Sequence, residues 1–238
     1  KAIILAGGKG TRLYPVTLET PKPLLTVNKK PIINYLIDMF RRHGVEEVAI
    51  TVREGDLEDF SWWQKRWQND MGGVSVNLTV EKEPMGTLGF WAHELHTWTG
   101  NDPFFLTNGD ELKDVDLSKM TEHHNKTGAF ATIAAVEVEN PSEYGVLVFD
   151  GDYIKSFLEK PKNPPSKFIS SGLYLIDPRV RDHVLEKVSA GQKFLMIEKD
   201  LFPKLAAEKQ LAAYKSSGKW FDCGNLQRWE KAIKEWGV

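Results

Sequence analysis

Three glycines near the start of the chain, Gly7, Gly8 and Gly10, are followed closely by the cations Arg12 and Lys22. Glycine-rich loops can point several backbone N–H groups into one concavity, which suits phosphate oxygens. Arginine can bind a phosphate bidentately, and lysine binds it as a point charge. Together, these residue types predict a binding site for a polyphosphate.

The spacing of these glycines does not match two common phosphate-binding motifs. The Walker A motif needs four residues between its first glycine and a Gly-Lys-Ser/Thr sequence, and the chain offers no such sequence here. The dinucleotide-binding fingerprint needs a third glycine three positions after the second, where the chain has Leu13. A nicotinamide dehydrogenase with a degenerate fingerprint stays open as an alternative, although no obvious acidic ribose ligand follows about 20 residues after the loop.

The elements that must position this loop alternate between strand-like and helix-like patterns. The apolar run from Ala2 to Ala6 is typical of a buried parallel strand, and Pro31 to Gly44 has the spacing and boundaries of a helix. Further strands are predicted at residues 47–52, 74–80, 104–107, 130–138, 145–149, 153–159 and 168–176, and further helices at 56–69, 87–96, 117–126, 179–188, 197–208 and 226–236. The alternation predicts an α/β fold, a three-layer Rossmann-like arrangement with a mixed, mainly parallel sheet and helices on both faces.

Composition limits the class of protein. The 238 residues, 41% hydrophobic and 27% charged, are ordinary for a globular α/β domain. The 31 basic and 33 acidic residues leave no basic excess, so we expect no nucleic-acid partner. Cys223 is the single cysteine, which fits a reducing compartment, and no apolar stretch approaches the roughly 18 residues that cross a bilayer. We therefore expect a cytoplasmic protein that does not bind a membrane.

The glycine motif continues into a longer pattern. Gly-Gly-x-Gly-Thr-Arg-Leu-x-Pro, from Gly7 to Pro15, is followed by Pro-Lys-Pro at residues 21–23. This pattern resembles the signature of the sugar-1-phosphate nucleotidylyltransferases, also called NDP-sugar pyrophosphorylases. The resemblance implies a nucleotidyltransferase that joins an NTP to a sugar 1-phosphate and releases pyrophosphate. It also implies one domain over residues 1–238, with a nucleotide-binding half at about 1–138 and a sugar-phosphate-binding half at about 139–238.

Two aspartates are candidates for a metal site. Asp110 follows a predicted buried strand, at the sheet edge where open α/β folds bind ligands. In the family that the chain resembles, a Gly-Asp at this position and an Asp-x-Gly near the C-terminus each supply one metal ligand. Asp222 stands in such an Asp-x-Gly sequence. The resemblance therefore implies that Asp110 and Asp222 hold Mg²⁺, which commonly binds through one or two carboxylates plus substrate phosphates.

The resemblance also implies residues that bind the nucleotide. Those around the glycine loop and the next strand end are Leu5, Ala6, Gly7, Gly8, Gly10, Thr11 and Asn108. Arg12 would bind the leaving pyrophosphate and Lys22 the α-phosphate region. The sequence Glu83-Pro-Met-Gly86-Thr87 is similar to the Glu-Pro-Leu-Gly-Thr of the guanylyltransferase branch, which acts on mannose- and heptose-type sugar phosphates. GTP is therefore the favoured nucleotide.

Sugar-binding residues are implied in the second half of the chain. The sequence Glu159-Lys160-Pro resembles an element whose lysine binds the sugar phosphate, and Tyr144-Gly145 resembles a segment that contacts the sugar ring. The stretch from Ser170 to Gly172 lies where relatives commonly have an asparagine in place of the serine. The identity of the sugar therefore stays open, because serine lacks the amide group.

Other functions stay open at this point. The nucleotide could be a uridylyl or thymidylyl donor and the acceptor glucose 1-phosphate. A cytidylyltransferase acting on phosphocholine or a polyol phosphate would share the N-terminal signature, and a non-catalytic sugar-nucleotide sensor is a remote alternative. The three-residue steps of a β-helix tail are missing, so we expect no such tail, and a homo-oligomer is compatible with the resemblance. The resemblance does not explain the tryptophan-rich stretch at 56–70, where Trp63 and Trp67 are spaced to pack on one helix face.

Overall fold

The computed structural model describes residues 1–237. The strands are β1 (Ala2–Leu5), β2 (Thr26–Val27), β3 (Lys30–Pro31), β4 (Glu47–Arg53), β5 (Ser75–Glu81), β6 (Phe104–Asn108), β7 (Glu111–Lys113), β8 (Ala131–Glu137), β9 (Gly145–Asp150), β10 (Tyr153–Glu159), β11 (Phe168–Ile176), β12 (Leu211–Lys215) and β13 (Trp220–Asp222). The α-helices are α1 (Val16–Glu19), α2 (Ile32–Arg42), α3 (Leu57–Trp67), α4 (Gly86–Phe90), α5 (His96–Thr99), α6 (Leu117–Thr127), α7 (Arg181–Ser189), α8 (Phe202–Ala207) and α9 (Leu226–Glu235). Two segments, Trp91–Leu95 and Ile197–Leu201, form π-helical turns.

The predicted helices and strands are found close to their expected places, and the differences have physical reasons. The short strands β2, β3, β7 and β13 were not predicted, because two or three residues are too few to show an alternating pattern. Strand β12 was not predicted either, since its Leu-Ala-Ala start has a weak strand propensity. The helix expected at 197–208 is a π-helical turn followed by α8.

The chain divides into two compact units. Unit 1 contains residues 1–83, 107–115 and 218–237, and unit 2 contains residues 84–106 and 116–217. Each unit is assembled from separate stretches of sequence. The functional halves expected on either side of residue 138 stay a prediction.

Unit 1 contains a parallel strand order, β5–β4–β1, in which Ala2 is aligned with Val48 and Val48 with Val76. Its two small antiparallel pairs are β2–β3 and β7–β13. An apolar cluster packs these pairs together; its buried members are Leu13, Leu25, Val27, Ile32, Leu112, Cys223 and Ala232. Because residues from all three stretches contribute to this cluster, its burial holds them in one body.

Unit 2 contains the strand order β11–β8–β12–β10–β9, and β9 also pairs with β11. The β8–β12 pair is parallel, whereas β11–β8, β10–β12, β10–β9 and β11–β9 are antiparallel. Strands of both directions alternate with helices in this unit. Together with the parallel strands of unit 1, they confirm the predicted α/β, Rossmann-like fold.

Two adjacent tryptophans of helix α3, Trp62 and Trp63, differ in their exposure to solvent. Trp63 is buried, and its Nε1 donates a 2.7 Å hydrogen bond to Oδ1 of the buried Asn34 on α2. Its ring also meets Phe60 edge to face at 6.2 Å. Trp62 is 65% exposed. Trp63 therefore joins α3 to α2. Its spacing predicts a packing role, but the partner Asn34 follows only from the tertiary structure.

In residues 1–237, every helix is too short or too polar to cross a lipid bilayer.

Candidate active site

The glycine loop is held at both ends by backbone hydrogen bonds. The N–H of Ala6, just after β1, donates to the carbonyl of Thr51 on β4 at 2.9 Å. At the other end the carbonyl of Gly10 accepts from the N–H of Leu13 at 2.9 Å and from Oγ1 of Thr17 at 2.8 Å. Gly10 itself has a φ of 62°, a left-handed conformation that glycine adopts without steric cost. The loop predicted to bind phosphate thus has a defined shape.

A carboxylate that the sequence analysis missed lies beside this loop. Glu81 is the last residue of β5, and a Cβ placed on Gly7 would come within 2.5 Å of its Oε2 atom. Any side chain at position 7 would therefore displace Glu81. The parallel order of β1, β4 and β5 could have indicated this approach, because it brings the carboxyl ends of those strands to one edge.

Asp110 lies beside the end of β1. The N–H of Gly109 donates a 2.9 Å hydrogen bond to the carbonyl of Leu5, which ties the turn after β6 to the start of the glycine loop. Asp110 Oδ2 accepts a hydrogen bond from Nζ of the buried Lys22. Two residues predicted separately, Lys22 and Asp110, are therefore in direct contact within unit 1.

The pairing of β13 with β7 brings Asp222 to the same place. In this antiparallel ladder Asp222 is the partner of Glu111, the residue after Asp110. Oδ2 of Asp222 accepts a hydrogen bond from Nη1 of Arg228 on α9. The two aspartates, which are far apart in sequence, are thus carried by adjacent backbone segments.

Arg12 reaches this group as well. A Cβ placed on Gly224 would lie 3.2 Å from Nη2 of Arg12 and 2.6 Å from Oδ1 of Asp222. The Asp-x-Gly sequence therefore needs its glycine for space, since a larger residue would strike both the carboxylate and the guanidinium group. Arg12 is exposed.

Glu111 connects these segments and was also missed. Its Oε2 accepts hydrogen bonds from Nζ of the buried Lys113 at 3.0 Å and from Nε1 of Trp220 at 3.1 Å, and its Oε1 accepts from Nδ2 of Asn108 at 3.2 Å. Burial raises the pKa of Glu111 against the opposing effect of Lys113, and the neighbouring charges of Asp110 and Asp222 raise it further. Glu111 thus links β7, which directly follows Asp110, to β13, which carries Asp222.

The donor set in unit 1 fits a hard divalent cation completed by substrate oxygens. Asp110 and Asp222 offer carboxylate oxygens, the ligand type that Mg²⁺ prefers. Among residues 1–237, no group of three or more His, Cys, Asp and Glu side chains is arranged to hold a metal. Two carboxylates are a common protein contribution to Mg²⁺ that is bound together with substrate phosphates.

Cys223 follows Asp222 but is directed into the apolar cluster of unit 1. Its burial raises the pKa of the thiol to about 12, and the charge of Asp222 contributes in the same direction. The thiolate is the reactive form of cysteine. Cys223 is therefore a packing residue.

The residues predicted to bind sugar come together in unit 2. Gly145 on β9 is aligned with Glu159 on β10, and the N–H of Lys160 donates a 3.1 Å hydrogen bond to the carbonyl of Tyr144. Lys160 Nζ lies 3.1 Å from Glu159 Oε1 with most of its side chain exposed. On the adjacent β11, the Oγ of Ser170 accepts a 3.2 Å hydrogen bond from the N–H of Gly172, whose φ is 64°. These predicted residues thus lie on, or directly beside, three neighbouring strands.

The glycine at position 145 has a packing reason. A Cβ there would lie 2.3 Å from the ring of Phe157 on β10. Gly145 is therefore required by the aromatic ring beside it, whether or not a sugar approaches its backbone.

The segment from Glu83 to Thr87, which is predicted to bind the nucleotide, is divided between the two units. Glu83 ends the first stretch of unit 1, and Gly86 and Thr87 belong to unit 2. Gly86 has a φ of 77°, and a Cβ there would lie 2.4 Å from the carbonyl oxygen of Leu195. That carbonyl accepts a 3.0 Å hydrogen bond from the N–H of Leu88. The segment around Thr87 is therefore closely packed against the stretch that leads into the π-helical turn Ile197–Leu201.

The chain is similar to curated proteins that are named as mannose-1-phosphate guanylyltransferases. The chain is 37% identical over 227 residues to the mannose-1-phosphate guanylyltransferase catalytic subunit beta of Xenopus tropicalis, and 36% identical over 231 residues to a mannose-1-phosphate guanyltransferase of Saccharomyces cerevisiae. Each alignment covers 94% of this chain and 61% of the relative. The chain thus spans about three fifths of the length of these curated relatives.

A solved structure shows the same fold over nearly the whole chain. It is a Bacillus anthracis protein, provisionally assigned as a glucose-1-phosphate thymidylyltransferase and crystallised with a sucrose. The two share 27% sequence identity with a TM-score of 0.87, over 98% of this chain and 94% of that chain. The family model for nucleotidyl transferases matches residues 1–236. The chain therefore belongs to the nucleotidyl transferase family.

Proposed function

We propose that this chain transfers a guanylyl group from GTP to a mannose- or heptose-type sugar 1-phosphate, giving a GDP-sugar and pyrophosphate. One observation carries the proposal: the β7–β13 ladder of unit 1 gathers Asp110 and Asp222 beside the glycine loop. Arg12 and Lys22 belong to the same group. A non-catalytic sensor would not need this complete set of charged groups.

The main requirement of this reaction is the neutralisation of negative charge, not proton transfer. An oxygen of the sugar phosphate attacks the α-phosphorus of GTP in line with the leaving pyrophosphate. This oxygen is already anionic, so no general base is required. Two anions must approach each other, and positioned cations lower that barrier.

The residues of this chain take separate parts in that task. The backbone N–H groups of Gly7, Gly8 and Gly10 bind the nucleotide phosphates, and Arg12 binds the pyrophosphate portion. Lys22 holds Asp110 and binds near the α-phosphate, while Lys160 binds the incoming sugar phosphate. Asp110 and Asp222 would hold Mg²⁺, which when bound supplies charge neutralisation at the reacting phosphates.

Glu81 is the residue that we propose for recognition of the base. Guanine presents two adjacent donors, N1–H and the N2 amino group, on its Watson–Crick edge. A carboxylate can accept from both, whereas uracil and thymine offer a single N–H there. The approach of Glu81 to Gly7 places such a carboxylate next to the nucleotide loop. Glu83, Gly86 and Thr87 remain the other residues proposed for this part of the nucleotide.

A second candidate function is thymidylyl or uridylyl transfer to glucose 1-phosphate. It is favoured by the similarity to the Bacillus anthracis protein over 98% of the chain.

We also propose that the enzyme works in the cytoplasm, as part of nucleotide-sugar and cell-surface polysaccharide biosynthesis. We propose in addition that it associates with copies of itself.

Pyrophosphate release with Mg²⁺ tests these assignments. The assay pairs GTP, UTP, dTTP, CTP and ATP with the 1-phosphates of mannose, glucose and a heptose. We expect the largest kcat/KM with GTP and mannose or heptose 1-phosphate. A preference for dTTP or UTP with glucose 1-phosphate would support the second candidate. No release from a folded chain that still binds a nucleotide would contradict transfer to these sugar phosphates and favour a rarer phosphorylated acceptor or the non-catalytic sensor.

A further inference from the structure

Unit 2 contains a carboxylate that none of the motifs includes. Glu198 lies on the π-helical turn Ile197–Leu201 and is partly buried. Such turns are unusual and are often found at functional sites. Glu198 belongs to no predicted group, yet its surroundings include several residues predicted to bind substrate.

Thr87 fixes the carboxylate by a reciprocal pair of hydrogen bonds. Its Oγ1 donates to Oε2 of Glu198 at 2.9 Å and accepts from the N–H of Ile197 at 2.9 Å. One hydroxyl therefore holds both the side chain and the backbone of the π-helical turn. A carboxylate held in this way has little freedom to lose when it binds a ligand.

The other oxygen of Glu198 is held less tightly. Tyr174 on β11 has its hydroxyl 3.5 Å from Oε1, and Ser170 Oγ lies 3.4 Å from that same hydroxyl. Both contacts are long for O–H···O hydrogen bonds, which are commonly 2.7–2.8 Å. A carboxylate can accept about four hydrogen bonds, so Oε1 retains acceptor capacity for a better placed donor.

The charge around Glu198 indicates what kind of donor it would accept. Glu159 lies close enough to act on Glu198 electrostatically, and burial and that negative charge both raise the pKa of Glu198, against the hydrogen bonds from Thr87 and Tyr174. Two nearby carboxylates repel a phosphate but can share the hydroxyl groups of a sugar. Since Glu159 and Ser170 are predicted sugar-binding residues, the acceptor sugar is the favoured ligand.

We infer that Glu198 is a specificity residue whose Oε1 accepts a hydrogen bond from a ring hydroxyl of the acceptor sugar. This inference rests on the proposed function. The same chemistry could serve a ribose hydroxyl of the nucleotide, and the test below separates the two sources. No bond is formed or broken at Glu198.

The experiment measures steady-state kinetics with the best substrate pair, for the unsubstituted chain and for Glu198→Gln. Glutamine keeps the shape and one acceptor oxygen for Thr87 but replaces the other oxygen by a donor. Glu186→Gln is the matched control, because Glu186 is an exposed residue of α7 in the same unit. We expect Glu198→Gln to lower kcat/KM for the sugar 1-phosphate by about tenfold to a hundredfold, with the KM of GTP and the control unchanged.

Deoxy analogues identify the hydroxyl. In the unsubstituted chain, one monodeoxy sugar 1-phosphate should show a loss similar to that caused by Glu198→Gln, and the variant should discriminate little against that analogue. Equal losses with every analogue would overturn the inference in favour of a structural role. A raised KM for GTP that 2′-deoxy- or 3′-deoxy-GTP reproduces would overturn it in favour of the ribose.

Direct binding keeps this test separate from that of the proposed function. Calorimetry compares mannose or glucose 1-phosphate with inorganic phosphate on the unsubstituted chain, Glu198→Gln and Glu198→Asp, each checked for folding by circular dichroism. Weaker sugar-phosphate binding in a folded variant, with phosphate binding unchanged, would support the inference even if no turnover were found. Unchanged sugar-phosphate binding in the folded variants would overturn it while leaving nucleotidyl transfer intact.

Discussion

The carboxylates of Asp110 and Asp222 in unit 1 are held by cations, whereas the carboxylate of Glu198 in unit 2 is held by a neutral hydroxyl group. In unit 1, Asp110 and Asp222 each accept a hydrogen bond from a cation, Lys22 and Arg228 respectively. In unit 2, the hydroxyl of Thr87 donates to Glu198, and the nearby charge of Glu159 is of the same sign. The first arrangement balances charge where we expect phosphates and a metal ion, and the second favours a neutral ligand rich in hydroxyl groups.

The largest effect should come from removing a charge in unit 1. We expect Asp222→Asn and Arg12→Ala each to reduce turnover by about a hundredfold to a thousandfold, the usual cost of losing one electrostatic contact to a transition state. Pyrophosphate release measures the effect, and circular dichroism shows whether the fold survives. Asp70→Asn, at an exposed position of unit 1, is the control. Near-normal turnover in a folded Asp222→Asn protein would contradict the metal assignment.

The free energy of unfolding should depend more on the cation that holds Asp110 than on the negative charge of Glu198. Lys22→Met removes the buried cation that holds Asp110, so we expect the free energy of unfolding to fall by about 1–3 kcal/mol, toward the lower end because Asp110 is partly exposed. Glu198→Gln keeps an acceptor for Thr87, and we expect a change below about 1 kcal/mol. Urea denaturation at neutral pH measures both. A larger loss for Glu198→Gln than for Lys22→Met would contradict the comparison.

The smallest effect is a pH dependence from Glu198. Burial raises its pKa above the ordinary 4.5, so the folded chain binds this proton more tightly than the unfolded chain does. Ionisation of Glu198 therefore lowers the stability of the unsubstituted chain as pH rises from 4.5 through the raised pKa. Glu198→Gln cannot ionise, so its stability relative to the unsubstituted chain should increase over that interval. Urea midpoints measured at a series of pH values would contradict this if the difference stayed constant.

The predictable part of the site lies where local sequence limits the backbone. The glycine loop and the turn before Asp110 could be predicted, because a buried strand followed by glycines has a recognisable sequence pattern. Lys22 and Asp110 are each predictable as site residues, but their contact is not, because the two residues are 88 positions apart in the sequence. Glu111 and Glu198 were missed because each carboxylate depends on partners distant in sequence, such as Trp220 and Thr87.

The α/β fold and the family follow from the amino-acid sequence, which also locates the glycine loop, because hydrophobic periodicity and a motif from Gly7 to Lys22 are local properties of the chain. Which charges meet depends on tertiary packing. Strands of three residues, β7 and β13, have too little pattern to be recognised, yet their pairing places Asp222 opposite Glu111, the residue after Asp110. Their position depends on burying Leu112 and Cys223 in a core assembled from three separate stretches of chain, and such long-range packing has no local signature.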